Sequence, residues 1–249
     1  MDMIIDYHCH LPWDRDSDQY LIEKLVEDTK ENNIDMRVVS ALDGYSISEQ
    51  NDAVISLVKK YPMMFIGCAI INPKEKNCLD ELDRVIQSGV IKAIELDSLA
   101  HNYYPENEKK INQIIEKAIE NNLVINVFTG WGPRTMPAQW AFYAEKYPAA
   151  KIVLLHMGTT DFGYGCVELV PQYNNLYVET SCMYEFPILR KAFSKIDSSK
   201  FLFGTHYPHK FTKCSIEAFD ILNLSEGFRN KLYFENAIEI LSLHQEGRK

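Results

Sequence analysis

The stretch IIDYHCHLPWD, Ile4 to Asp14, is an apolar run ending in two histidines one residue apart, His8 and His10. In a strand, residues i and i+2 point to the same side, so both imidazoles share one face at the strand's C-terminal end. The run is the first of a series. MIIDYHCH, MRVVSAL, MFIGCAII, IKAIELDS, LVINVFTG, KIVLLHMG, LYVETSC and FLFGTHYP are short and rich in β-branched residues, as strands buried on both faces are. Between them, residues 20–32, 48–60, 77–88, 106–121, 136–147, 163–173 and 184–196 carry apolar side chains at helical spacing. Eight strands with helices between them give the count of a closed (β/α)8 TIM barrel, an α/β fold. An open doubly wound sheet is the alternative, but no glycine-rich phosphate loop follows the first strand.

Local punctuation supports these boundaries. ENNID and ENNLV end helices with Asn, which tolerates a left-handed backbone; KYP twice puts Pro just past a helix, and SGV before Ile91 is a Gly stop. No Ser/Gly-rich linker or low-complexity tract divides the chain, so a single domain over residues 1–249 is expected. Residues 212–243 read as two or three further helices, the first being the eighth of the barrel, with GRK as an exposed end.

With 46% hydrophobic and 24% charged residues, the composition is that of a soluble folded protein. A net charge of -9 argues against a nucleic-acid surface, which needs Lys and Arg to neutralise phosphates. No apolar stretch is long enough for a bilayer and no basic leader opens the chain, so a cytoplasmic protein without a membrane partner is expected. Six cysteines with no CxxC pair fit reduced thiols in that compartment. Cys9 falls between the two histidines, but alternation turns it to the opposite face as a small buried residue. The expected partner is a small-molecule substrate, and the extra C-terminal helices offer a homo-oligomer contact.

In such a barrel the C-terminal ends of all strands meet at the mouth, where active sites lie. Two imidazoles on one strand are a rigid pair for a divalent metal, zinc first among them. His156 ends KIVLLHMG and His206 ends FLFGTHYP, so four of seven histidines sit at strand ends. One histidine at a barrel rim is ordinarily a satisfied polar residue, whereas four at one mouth point to a metal site. Asp6, two residues before His8, is either a carboxylate accepting from a histidine or a polar residue deeper in the barrel. Glu95 and Glu179 lie inside strand runs, where an ionised side chain must be paired, metal-bound or open to the mouth. Glu95 shares a face with Asp97 and is a candidate ligand or general base. For Glu179, an ion pair with a neighbour such as Lys92 or Arg134 is the simpler expectation. FTGWGPRT, Phe128 to Thr135, reads as a loop offering Trp131 for stacking and Arg134 for a substrate anion, or as a plain surface turn. His101 and His209 fall in loops beyond strands four and eight, exposed or, for His209 especially, in reach of substrate.

Several motifs, taken in order, resemble the amidohydrolase superfamily, and within it the amidohydrolase-related branch that includes aminocarboxymuconate semialdehyde decarboxylase and other nonhydrolytic decarboxylases. IDYHCH is similar to that family's DxHxH, YPAAKIVLLHMG to its fP-x-x-kivl-x-HmG segment, NNLYVETS to pNvy-x-dts, FLFGTHYP to ilFGsDyP, and FENAIEIL to the terminal NA-x-x-l helix. The resemblance spans essentially the whole chain. It implies a TIM barrel whose mouth binds a divalent metal, usually zinc, that activates water or orients a carboxylated substrate. It also implies His8 and His10 as metal ligands and His156 as the strand-six histidine that binds metal or polarises substrate. Two positions depart from the pattern. The histidine after strand five is Phe128, which cannot ligate, and the strand-eight aspartate, which holds the metal and accepts its water's proton, is His206. A neutral imidazole brings no negative charge, and Glu95 is the carboxylate available to compensate. His8, His10 and His206 remain as ligands, with Glu95 or His156 as a fourth.

The resulting reading is a metal-dependent hydrolase of C–N or C–O bonds, or a decarboxylase if Arg134 anchors a carboxylate. His156 would polarise the substrate, and Glu95 or His206 would handle the proton. The alternative, favoured by Phe128 and His206, is a barrel that has lost catalysis and binds a ligand or partner. A TatD-like metal-dependent nuclease is a third reading, against which the acidic charge and the HMG context count.

Overall fold

The computed structural model describes residues 3–243; the GRK end and His244 lie outside the described residues. One parallel sheet runs in chain order through β1 (Ile5–His10), β2 (Met36–Ser40), β3 (Phe65–Ile70), β4 (Ile91–Leu96), β5 (Val124–Phe128), β6 (Lys151–Leu155), β7 (Leu176–Glu179) and β8 (Phe201–Leu202). Backbone bonds close the ring. Tyr7 N–H donates to the Phe203 carbonyl at 2.7 Å, His206 N–H to that of His8 at 2.8 Å, and His10 N–H to that of Tyr207 at 2.6 Å. Around the sheet lie α1 (Ile22–Glu31), α2 (Ile47–Lys60), α3 (Cys78–Gln87), α4 (Lys110–Glu120), α5 (Ala138–Lys146), α6 (Thr159–Leu169), α7 (Phe186–Lys195) and α8 (Thr212–Ile221). The expected (β/α)8 TIM barrel is therefore present. After α8 come α9 (Glu226–Asn230), a π-helical segment (Lys231–Glu235) and α10 (Asn236–Ile240).

Local chemistry explains the boundaries. Ser46 caps α2 in a reciprocal capping box with Glu49, satisfying two orphan donors of the first turn. Asn33 and Asn122 follow α1 and α4 at φ 53° and 54°, the left-handed stop that ENNID and ENNLV announce. Helix α6 begins at Thr159, four residues before the expected 163, because Gly163 and Gly165 weaken its helical signature in the sequence. It ends at Leu169, two residues before Pro171, which has no N–H to continue the ladder. A small antiparallel pair, Trp13–Asp14 with Gln19–Tyr20, was not anticipated.

The barrel interior is filled by Ile5, Tyr7, Val38, Ile66, Cys68, Ala93, Val124, Val153, Leu155 and Leu202, and its floor is closed by Ala237, Ile240 and Leu241 of the terminal segment. The extra C-terminal residues thus plug the barrel. Among the described residues no helix is long and apolar enough to cross a membrane, and all six cysteines are free thiols.

One irregularity in β1 sets the site. Asp6 pairs with Arg37 and Cys9 with Val39, so β1 holds one residue more than β2 across that interval. This bulge interrupts alternation: Tyr7 joins the barrel interior, yet His8 faces inward as well, while Asp6 and Cys9 lie on the helix side. Cys9 takes the place expected of it. Asp6 does not share a face with His8, and among the described residues its carboxylate accepts no bond from a histidine ring. It accepts instead from Thr205 N–H at 2.9 Å, Thr205 Oγ1 at 2.6 Å and His8 N–H at 3.3 Å, and it lies 3.5 Å from Arg37 Nε. Arg37, with no solvent exposure, reaches Asp28 of α1 at 2.6 Å and Thr212 of α8 at 3.1 Å. Arg37→Met leaves the Asp6 carboxylate buried without its counter-charge, so the expected loss of unfolding free energy is about 3–5 kcal/mol, measured by urea denaturation.

Candidate metal centre

At the mouth, β1 supplies His8 and His10, β4 Glu95 and β7 Glu179; His156 follows β6 and His206 follows β8. The rings form one cluster, His8 lying 4.7 Å from His10, 4.9 Å from His156 and 5.4 Å from His206 between centroids. His209 extends it at 5.6 Å from His10 and 5.0 Å from His206, on the exposed side. Of the six site residues His206 is the most accessible, at 9%.

Two parallel relays orient the imidazoles. His10 Nδ1 lies 2.9 Å from Ser40 Oγ, which donates to Glu95 Oε2 at 2.8 Å. His156 Nδ1 lies 2.8 Å from Ser181 Oγ, which donates to Glu179 Oε2 at 2.7 Å. Because each hydroxyl hydrogen goes to a carboxylate, each serine oxygen accepts from the imidazole, so both histidines carry their proton on Nδ1 and present a bare Nε2. Glu179 also accepts from the N–H groups of His156 and Ser181. Its partners are therefore His8, Ser181 and the backbone; among the described residues it forms no ion pair with Lys92 or Arg134, contrary to the simpler expectation.

His8 stands between the two carboxylates, 3.7 Å from Glu95 and 3.5 Å from Glu179. Burial opposes its charge, but hydrogen bonds and attraction from Glu179 and Glu95 outweigh it and lift the ring to about 10. His10 and His156 are held well below the ordinary imidazole range by burial first and by the charge on His8 second. The same causes take His206 down to about 2, and burial lowers His209. Burial lifts Asp97, on the face of Glu95, to about 6.

His10 Nε2 and His156 Nε2 are buried acceptors with no hydrogen-bond partner, and His8 Nε2 and Glu95 Oε1, also without a hydrogen bond, face each other only across the 3.7 Å ion pair. Leaving a buried polar atom unpaired costs about 1–3 kcal/mol. His8, His10 and Glu95 offer ligand atoms within 4.8 Å of one another, as do His156, Cys182 and His206; the third such group, His8, His156 and Glu179, rests on a carboxylate already satisfied by donors. Two imidazoles and a carboxylate fit a divalent cation, which would displace the proton that His8 carries between Glu95 and Glu179.

The chain matches the amidohydrolase family over residues 5–243. It belongs to that family. No curated protein matches the sequence. Among solved structures, an uncharacterised TIM-barrel protein, Bb4693, from Bordetella bronchiseptica is similar at a TM-score of 0.80 and 18% identity, over 96% of this chain and 98% of the other. A 5-carboxyvanillate decarboxylase from Novosphingobium aromaticivorans, complexed with manganese and 4-hydroxy-3-methoxy-5-nitrobenzoic acid, gives 0.75 at 14% identity over 97% and 96%. A 4-oxalomesaconate hydratase from Rhodopseudomonas palustris gives 0.71 at 19% identity over 96% of each chain. At these identities the likeness establishes the shared barrel.

Measured against the family pattern, this amidohydrolase chain rearranges two corners of the mouth. Phe128 packs on His156 at 5.1 Å and on Trp131 at 5.5 Å, and Trp131 lies 5.4 Å from His156. An aromatic wall therefore stands where the family has a ligand. His206 turns Nδ1 toward Cys182 Sγ at 3.1 Å, which groups it with Cys182 and His156 instead of with Glu95. A bare Nε2 cannot donate to a substrate oxygen, so the polarising role expected of His156 becomes that of an acceptor. The Arg134 guanidinium rests 5.5 Å above the Tyr104 ring, and His101 is half-buried with an unpartnered Nδ1. Ser40, Ser181 and Cys182 were missed because an isolated serine or cysteine at a strand end carries no pattern.

His156, Cys182 and His206 all have positive φ, at 61°, 61° and 58°, a strain of roughly 1–3 kcal/mol each that persists only where neighbours over-determine it. Gly204 shows how tightly: a Cβ there would fall 2.1 Å from Glu179 Oε1 and 3.1 Å from His8 Cβ. Gly204→Ala should push Glu179 off Ser181 and lower stability by about 1–3 kcal/mol, read as a drop in thermal midpoint with the far-ultraviolet spectrum of the folded state unchanged.

Proposed function

We propose that this amidohydrolase is a metal-dependent enzyme for a small carboxylated organic substrate, holding a divalent ion through His8, His10 and Glu95. The observation that carries the reading is the convergence of two buried imidazoles and a buried carboxylate, each offering a ligand atom within 4.8 Å of the others and each keeping one atom that no hydrogen bond satisfies. Three protein ligands with a position left open are the usual catalytic zinc arrangement, and imidazole with carboxylate also suits manganese. A bound ion supplies Lewis acidity, polarising a substrate oxygen or lowering the pKa of water.

The chain's own side chains do the rest. Ser40 and Glu95 fix the His10 ring, Glu179 and Glu95 fix His8, and near-complete burial keeps bulk water from the open position. Phe128 and Trp131, packed on His156, give the mouth a flat apolar side suited to a planar ring. Arg134, stacked on Tyr104, keeps its in-plane N–H groups available for a substrate carboxylate, and His209 sits at the exposed rim. Decarboxylation of an aromatic acid is the reaction these surroundings favour, and the decarboxylase among the similar structures supports it. Hydrolysis of a C–N or C–O bond is the second reaction to screen. A barrel that binds such a ligand without turning it over is favoured by one observation, Phe128 in the place of a ligand. We take the protein to work as one domain in the cytoplasm.

Metal content of untagged protein purified without chelators tests the reading. Zinc or manganese near one equivalent, or more, in the wild type and at least one equivalent less in His8→Ala/His10→Ala is expected; no metal in either, even after reconstitution, would sink it. Turnover of a hydroxylated benzoate by the loaded wild type alone supports catalysis, whereas binding without turnover across the carboxylate and amide screen selects the ligand-binding barrel. Ser40→Ala should weaken the ion by 10–100-fold in calorimetric titration.

A further inference from the structure

We infer that His156, Cys182 and His206 form a second metal position, beside the one held by His8, His10 and Glu95, suited to zinc or another thiophilic divalent ion. The inference rests on the metal reading above and goes beyond it by giving a role to the two corners where this chain departs from its family. One ligand atom from each of the three side chains lies within 4.8 Å of the others. They follow three successive strands, β6, β7 and β8, and each enters a left-handed turn that directs three distant parts of the sequence to one spot.

The unpartnered nitrogen of His156 is the deciding observation. Nδ1 is committed to Ser181, so Nε2 is the lone pair left over, on a side chain with no solvent exposure. The Phe128 and Trp131 rings packed against His156 have no hydrogen-bond donor aimed at it. A buried acceptor without a donor is satisfied either by a proton or by a cation, and the neighbours decide between them. The His206 ring lies 4.6 Å from that of His156 and its Nδ1 is 3.1 Å from Cys182 Sγ. Two imidazole nitrogens and a thiol sulfur facing one another form a donor set with no hard oxygen in it. Such a set prefers zinc, cobalt or iron over manganese or magnesium, whereas the His8, His10 and Glu95 set accepts both kinds. Binding converts the Cys182 thiol to a thiolate, and its proton leaves to solvent. An aspartate at position 206, as in the family's pattern, would have made a different, harder site; the imidazole is what reaches Cys182.

The two donor sets can be told apart by titrating the metal-stripped full chain with cobalt(II) and with manganese(II), free of oxygen and reductant. The wild type should bind two cobalt ions, with the near-ultraviolet sulfur-to-cobalt charge-transfer band, but one manganese ion. Cys182→Ser should bind one cobalt ion and lose the band. His8→Ala/His10→Ala should bind one cobalt ion and keep it. A wild type that binds a single cobalt ion without the band overturns the second position, as does a band that survives in Cys182→Ser. Loss of the band in His8→Ala/His10→Ala with an unchanged circular dichroism spectrum also overturns it. A wild type that binds one cobalt ion with the band, retained in His8→Ala/His10→Ala, fails the first position and leaves the second standing.

Discussion

The extra residue in β1 is the constraint from which the mouth is built. A regular strand through IDYHCH puts Tyr7 and His8 on opposite sides, so filling the barrel with Tyr7 would turn His8 away from Glu95. The bulge lets both face inward: Tyr7 donates to Asn126 Oδ1 at 3.0 Å in the interior, and His8 rises above it between the two carboxylates. Asp6, next to Tyr7, points outward, where with Arg37 it ties β1 and β2 to α1 and α8. One local irregularity thus lets a single strand fill the interior, bring His8 to the mouth and anchor the helices.

Electrostatically the mouth is a cluster whose carboxylates outnumber its cations. Two buried carboxylates face one protonated imidazole, and three more imidazoles are kept neutral by burial and by that same charge. Serine spacers commit one nitrogen of His10 and of His156 to the scaffold. In a low-dielectric site each uncommitted lone pair is costly, and the cost is removed together when cations enter. The arrangement is a preorganised receptor in which the scaffold holds the donors apart in advance.

Strand order, strand count and the convergence of His8, His10, His156 and His206 were legible because each rests on a repeating signal: β-branched runs, helical spacing, a histidine at the end of a run. Asn33 and Asn122 could be placed for the same reason, since a left-handed stop has its own residue preference. The misjudged features depend on tertiary contact. Strict alternation put Asp6 with His8, and only the register against β2 reveals the bulge. Glu179 looked like a candidate for a lysine or arginine because charge pairs are the common partners of carboxylates, and nothing in NNLYVETS says that His8 will stand beside it. The turn of His206 toward Cys182 joins residues 24 apart through two tight left-handed bends that the flanking residues do not announce.

Closure of this barrel joins its opposite ends. Tyr7, His8 and His10 find their backbone partners at residues 203 to 207, and the floor beneath them is filled by Ala237, Ile240 and Leu241. During synthesis β1 is made before every other strand of the barrel and its partners beyond β8 after them. Until those partners are made, one edge of β1 is unpaired and the cavity below it is open, with an apolar strand exposed as a template for wrong pairing. His8 and His10 therefore lack their neighbours at the mouth until residues 203 to 207 have been made, so the candidate site is assembled only after the whole sheet.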